Sequence, residues 1–196
     1  MDVGSARAAA LALSVALVLP ACSGPPDEAT PAPTPRGFEV PTGVTLTRPG
    51  TVLALDEPAT VVLELGDGAA SAVTVTVTDV RRGDVEEDFR AFSLDAGSRA
   101  STPYYVDVVV RNEGPAGLGG SSLPLLAHGD ADVLRPASEL VGEFEPCPSS
   151  ALPGRFLRGA SARLCFVYLL PAGERLRTVD LQPGGDDSAV RWDPSA

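Results

Sequence analysis

The sequence predicts an all-β fold: antiparallel sheets packed face to face as a sandwich, with seven to nine strands over residues 37–196. Three observations carry the prediction. First, AVTVTVTDV at Ala72–Val80 alternates strictly, Val73, Val75 and Val77 to one side and Thr74, Thr76 and Thr78 to the other. Period two in a β-branched run is the signature of a strand with one buried face. Second, YYVDVVVR (Tyr104–Arg111) and LCFVYLL (Leu164–Leu170) are almost continuously apolar over strand length. Third, no window sustains a 3.6-residue apolar repeat, and Gly or Pro interrupts every candidate helix.

The elements follow in order. Thr51–Leu55 and Ala59–Leu65 are short apolar runs separated by the turn residues Asp56, Glu57 and Pro58. Ala72–Val80 comes next, then Tyr104–Arg111, whose near-continuous apolarity predicts a central strand covered on both faces. Leu164–Leu170 has the same character, and Thr178–Leu181 and Ala189–Trp192 supply the last two strands. Two sheets in a sandwich hide the apolar faces of such strands from water. No internal repeat at a fixed period is present.

Composition narrows the function. The 196 residues are 44% hydrophobic, enough for a core. Fifteen basic side chains against 26 acidic ones give a net charge of −11, which excludes a nucleic-acid binder and a polybasic membrane-surface binder. Lys and Ile are absent, and Asn112 is the only Asn. Arg is therefore simply the basic residue of a GC-rich coding sequence and does not by itself signal phosphate recognition.

At the N-terminus, Arg7 precedes an apolar run from Ala8 to Leu19 broken only by Ser14. Twelve residues make about 18 Å of helix, short of a hydrocarbon core of about 30 Å, so the run fits a signal-peptide core better than a permanent span. Leu19-Pro20-Ala21-Cys22 resembles a bacterial lipobox. The resemblance implies removal of residues 1–21 as a lipoprotein signal peptide and diacylglycerol transfer to the Cys22 thiol, giving a membrane partner through a lipid anchor. Residues 22–36 form the second expected unit: the lipidated Cys22 and a linker, residues 23–36, with five Pro among fourteen residues, extended and without a core. Residues 37–196 are the third, the sandwich domain.

If Cys22 is acylated, Cys147 and Cys165 remain. In an oxidising compartment such a pair closes, and its 18-residue separation predicts about 3 kcal/mol of stabilisation. A metal site is the rival reading, poorly served by two thiols and a single His.

The run TVTVTDV, the acidic segment after it, YYVDVVVRNEG with its Asn112-x-Gly114 exit, the Pro171-Ala172-Gly173 turn and a closing strand at Trp192 resemble the actinobacterial DUF4352 / telokin-like immunoglobulin group, which includes the MPT63-like secreted proteins. The resemblance spans about 120 of the 196 residues. It implies an immunoglobulin-like antiparallel β-sandwich on an exported protein and carries no catalytic residues with it.

Candidate chemistry is sparse. His128, the single imidazole, sits in Ala127-His128-Gly129-Asp130 and reads as a surface loop residue. Ser121 and Ser122 lack a Gly-x-Ser-x-Gly elbow, and Gly117–Gly120 reads as a flexible hairpin tip. Asp84–Asp88 carries four carboxylates in five residues but lacks the spacing of a calcium loop; it and the pairs Asp130/Asp132 and Asp186/Asp187 read as solvated acidic loops. Arg82-Gly83-Asp84 is an RGD tripeptide between strands. Asn112 reads as a turn residue tolerant of left-handed backbone whose amide bonds nearby backbone, and Trp192 as a core plug. The expectation is a non-enzymatic, lipid-anchored extracytoplasmic module with no cofactor and no metal, binding an envelope protein or polymer. The alternatives are a structural or chaperone-like envelope factor, and a hydrolase with a carboxylate or serine centre.

Overall fold

The computed structural model describes residues 34–35, 37–65 and 69–196. The expected signal peptide, Cys22 and linker residues 23–33 lie outside them. Among the described residues nine strands form two sheets: β1 (Val52–Leu53), β2 (Pro58–Glu64), β3 (Ala70–Arg82), β4 (Thr102–Asn112), β5 (Leu125–Gly129), β6 (Leu134–Pro136), β7 (Ser161–Leu170), β8 (Leu176–Leu181) and β9 (Val190–Trp192). One sheet has the order β1-β9-β8-β5-β6, the other β2-β3-β4-β7. All pairs are antiparallel except β1 with β9. The chain crosses between sheets from β1 to β2, β4 to β5, β6 to β7 and β7 to β8, which places the sheet β2-β3-β4-β7 opposite the sheet β1-β9-β8-β5-β6 in an immunoglobulin-like arrangement.

Each expected strand is present, with longer or shorter ends. β5 and β6 were not anticipated, because Leu125–Gly129 and Leu134–Pro136 are short and lie among Gly, Asp and Pro. His128 accordingly stands on β5, not in a loop.

β3 shows how sequence sets phase. Val73, Val75 and Val77 point inward as their alternation requires. Continued alternation would bury Asp79. A bulge between Val77 and Asp79 resets the register, so that Val80 pairs with Val106 and packs against the core while Asp79 pairs with Asp107 on the outside. The Thr78 hydroxyl donates to the Asp107 carbonyl at 3.1 Å.

The core joins Val73, Val75, Val106, Val108 and Phe166 of one sheet to Ala127, Val179, Leu181, Val190 and Trp192 of the other. Two buried polar tips cross between elements. The Tyr168 hydroxyl donates to the Leu125 carbonyl at 2.8 Å, and Trp192 Nε1 to the Glu57 carbonyl at 2.9 Å. Burial holds the Tyr168 phenol well above its ordinary value.

A second, smaller cluster covers part of the outer face of the four-stranded sheet: Phe89, Tyr105, Phe144, Cys147, Cys165 and Val167. β4 is thus covered on both faces at its Tyr105 end, as expected, but its exposed Arg111 leaves the other end open. The covering pieces are Phe89, Phe92 and Leu94, which lie between two short helices, α1 (Val85–Asp88) and α2 (Ala96–Arg99), and the connection from β6 to β7. Asp84 caps α1 by accepting from Glu87 N, and Asp95 caps α2 by accepting from Gly97 N and Ser98 N. No helix among the described residues is long and apolar enough to cross a membrane.

Candidate functional site

Cys147 and Cys165 form a disulfide with a Cα–Cα distance of 5.2 Å. Cys165 lies on β7, an edge strand, and the bridge fastens the β6–β7 connection over that edge. Ser138 N donates to the Val167 carbonyl at 2.7 Å and Cys165 N to the Ser149 carbonyl at 2.6 Å, so the flap occupies hydrogen-bonding groups that an open edge would offer to another chain. Phe144 inserts against Phe89 with ring centroids 4.6 Å apart. Arg81 lies across the seam: it donates to Asp107 at 2.9 Å and to the Pro146 carbonyl at 3.3 Å, 5.4 Å from the Tyr105 ring centre. The Tyr105 phenol is held above its ordinary value by burial first and then by its hydrogen bond to Asp88. The paired replacement Cys147→Ser with Cys165→Ser is expected to cost about 3 kcal/mol, by the loop-entropy model, in urea unfolding followed by circular dichroism. A loss below about 1 kcal/mol would show that the aromatic packing alone holds the flap.

His128 belongs to a polar ladder on the outer face of the five-stranded sheet. Its Nε2 lies 2.9 Å from Asp132 Oδ1, across a tight β5–β6 turn in which Asp132 has a φ of 60°. Its Nδ1 faces Asp180 Oδ2 at 3.6 Å, an electrostatic contact beyond hydrogen-bonding distance. Asp180, only 1% exposed, is held by Arg191 Nε at 3.0 Å and by the Thr178 hydroxyl at 2.6 Å. Thr178 is paired with His128 in register, yet its proton goes to Asp180. The ring is oriented by two carboxylates, an acid-rich setting that fixes it without presenting it to a hydroxyl. Nearby, Glu174 is buried against Gly129 and paired with Arg135 at 3.0 Å.

The remaining candidates take structural places. Gly117–Gly120 is not a hairpin tip, because β4 and β5 lie in different sheets. It is packed under the segment before β7: Leu118 is fully buried and donates to the Phe156 carbonyl, and Gly120 N donates to the Leu152 carbonyl. A side chain on Gly119 would collide with the Gly154 carbonyl. The Ser121 carbonyl accepts from Leu152 N, and Ser122 bridges to Ala151. Asp84–Asp88 is solvated as expected, with Asp84, Glu86 and Glu87 exposed, but it is a capped helical turn rather than a loop; Asp88 accepts from Tyr105 and from Asp84 N. Within the RGD tripeptide, Gly83 is bonded to the Pro103 carbonyl and pressed against the Tyr105 ring, and the Asp84 carboxylate is occupied as a cap. Asp130 pairs with Arg175, whose backbone and side-chain donors hold its carboxyl below the usual range. Asp187 stands exposed beside the groove described below.

Asn112 differs from its expectation in backbone but not in bonding. It ends β4 paired with Val73 and does not take positive φ, which among non-glycine residues described occurs at Asp56 and Asp132. Its amide is fully buried and satisfied four ways. Oδ1 accepts from Ser71 Oγ at 2.7 Å and Gly114 N at 3.1 Å; Nδ2 donates to the carbonyls of Ala116 at 2.7 Å and Phe156 at 3.0 Å. Gly114 is required by proximity, since a Cβ there would meet Ser71 Oγ and the backbone of Ala72.

One surface was not legible in the sequence. A groove of about 760 Å³ runs beside β2, with Pro49, Val62 and Pro183 among its apolar walls and Arg48, Glu64 and Asp187 among its charged ones. β2 is an edge strand. Thr60 turns its N–H and carbonyl away from β3, to Thr47 Oγ1 at 2.9 Å and Thr47 N at 2.7 Å. By the alternation of an antiparallel ladder, Val62 and Glu64 turn their N–H and carbonyl groups the same way, along the groove, where no described residue pairs with them.

No family model matches this chain, and no curated protein does. Among solved structures, the crystal structure of a secreted protein from Mycobacterium tuberculosis, MPT63, is similar at 13% sequence identity, over 73% of this chain and 96% of that one, with a TM-score of 0.47.

Proposed function

We propose that this chain is a lipoprotein anchored through Cys22 at the extracytoplasmic face of the cell membrane, and that its sandwich works by binding at the envelope rather than by catalysis. One observation carries the reading. The Cys147–Cys165 bridge takes up two of the three Cys, which leaves Cys22, inside the lipobox-like Leu19–Cys22, as the one sulfur available for acylation. A bridge of this kind suits an exported domain, since thiols stay reduced in the cytosol of most cells. Two or three acyl chains, at about 0.8 kcal/mol per buried methylene, suffice for stable anchoring. A binding role fits a rigid sandwich that carries an uncovered strand edge beside an apolar groove.

Expression in a bacterium with lipoprotein-processing enzymes tests the anchor. The mature protein is expected to start at a Cys22 of diacylglyceryl-increased mass and to partition into detergent. Cys22→Ala is expected to lose the added mass and that partitioning. Native protein recovered in the aqueous phase with an unmodified start would overturn the anchor. Crosslinking in intact cells addresses the binding role, where recovery of one specific envelope component is the supporting result.

A further inference from the structure

We propose that the open half of the β2 edge takes an extended, positively charged segment of a partner protein as an added strand; this deepens the binding reading above and rests on it. The argument begins with the sheet edges. β1 and β6 are edges of only two and three residues, against seven in β2. β7 is long; the disulfide-fastened flap occupies its edge at Val167 and Cys165, and the rest of that edge carries the exposed Arg163, whose charge opposes a basic segment. β2 is occupied only at Thr60, by Thr47. Its continuation, Val62 to Glu64, keeps a row of backbone donors and acceptors with no partner among the described residues. The contact between Thr47 and Thr60 is an internal instance of the same mode of pairing, one step along the strand.

The groove beside that row fits a side chain as well as a backbone. Its floor is apolar at Val62, Pro49 and Pro183, so alternate residues of an added strand could be buried there. Among the described residues, Glu64 and Asp187 carry no ion pair and Arg48 is the lone cation on the wall. The lining is therefore net acidic, on a chain of net charge −11.

Charge selects the occupant. A second copy would bring another −11, which repels. The chain's own Thr34 and Pro35 line one wall of the groove, but the linker before them, residues 23–33, has four Pro among eleven residues and carries Asp27 and Glu28, so it interrupts a ladder and lacks the complementary sign. A basic segment with alternating apolar residues satisfies the backbone row, the floor and the rim together.

The test uses the full-length protein in detergent micelles and two fluorescent nonapeptides, one alternating Arg with Val and one alternating Glu with Val. The arginine peptide is expected to bind at least tenfold more tightly and to slow amide hydrogen exchange at Val62 and Glu64. Val62→Pro removes an outward-facing donor, a change that edge strands tolerate, and is expected to weaken binding at least tenfold. Glu64→Arg with Asp187→Arg leaves the backbone intact and is expected to invert the preference toward the glutamate peptide, which keeps the test decisive if Val62→Pro does not fold. Unaltered binding in both variants, or peptide binding that leaves those two amides unprotected, overturns the proposal. So does protection of the amides without peptide, whether it appears with concentration-dependent dimerisation or vanishes when residues 1–33 are removed; these outcomes identify the second copy and the linker as occupants. If the variants bind no peptide differently while envelope crosslinking in cells still recovers one partner, the binding reading stands and this surface is not its site.

Discussion

Trp192→Ala is expected to destabilise the domain by roughly 3–5 kcal/mol and to lower its melting temperature by about 10 °C. Trp192 is fully buried on β9, which lies between β1 and β8. Its loss removes the largest side chain of the core and leaves a void between sheets that cannot close without moving β9. A second cost comes from the Glu57 carbonyl, which accepts the indole N–H at 2.9 Å. Glu57 belongs to the turn where the chain passes from β1 in one sheet to β2 in the other, a turn also fixed by Asp56 N donating to the Val77 carbonyl at 2.9 Å. Trp192→Phe separates the two contributions. It keeps most of the apolar volume and orphans the carbonyl, and should cost about 1–3 kcal/mol. Urea unfolding followed by circular dichroism measures both, since the variants lack the chain's single Trp as a fluorophore. A loss below about 1 kcal/mol for Trp192→Ala would mean that the sheets repack around the void.

Asn112→Asp should be comparably severe despite a nearly identical shape, at on the order of 4 kcal/mol. The exchange turns a donor of two hydrogen bonds into a carboxylate oxygen facing the carbonyls of Ala116 and Phe156, at a site with no exposure. Those carbonyls lose their donor, and the new charge has no cation beside it. Protonation of the aspartic acid would restore one donor, so the variant should recover part of its stability as the pH falls. Asn112→Leu, which cannot recover in acid, is the control. Equal unfolding free energies for Asn112→Asp and the parent at neutral pH would show that the four-way network carries no net stabilisation.

Much of the sandwich was legible because its strands carry their burial in their spelling. The valines of β3 and the apolar runs of β4 and β7 could only be strands, and their length and β-branching say so without tertiary information. β5 and β6 were not legible. They are five and three residues long, and what makes them strands is pairing with β8 and with each other. His128 was misplaced for the same reason. The role of Asn112 was half legible: its amide was expected to bond backbone nearby, but the Phe156 carbonyl lies 44 residues away and comes within reach only in the folded chain.

Sequence by itself determined the class of fold, the period-two faces of the long strands, the net acidity, and the availability of Cys147 and Cys165 for a bridge. These are properties of composition and local spacing, and each acts within a few residues or on the chain as a whole. Tertiary structure decided which edges stay open. β7 is covered at Cys165 and Val167 by a flap that the disulfide fastens to it, whereas β2 is left unpaired beyond Thr60. Edge exposure depends on what long-range contacts bring alongside a strand, and hydrogen-bonding partners distant in sequence leave no periodic mark on the residues that meet them.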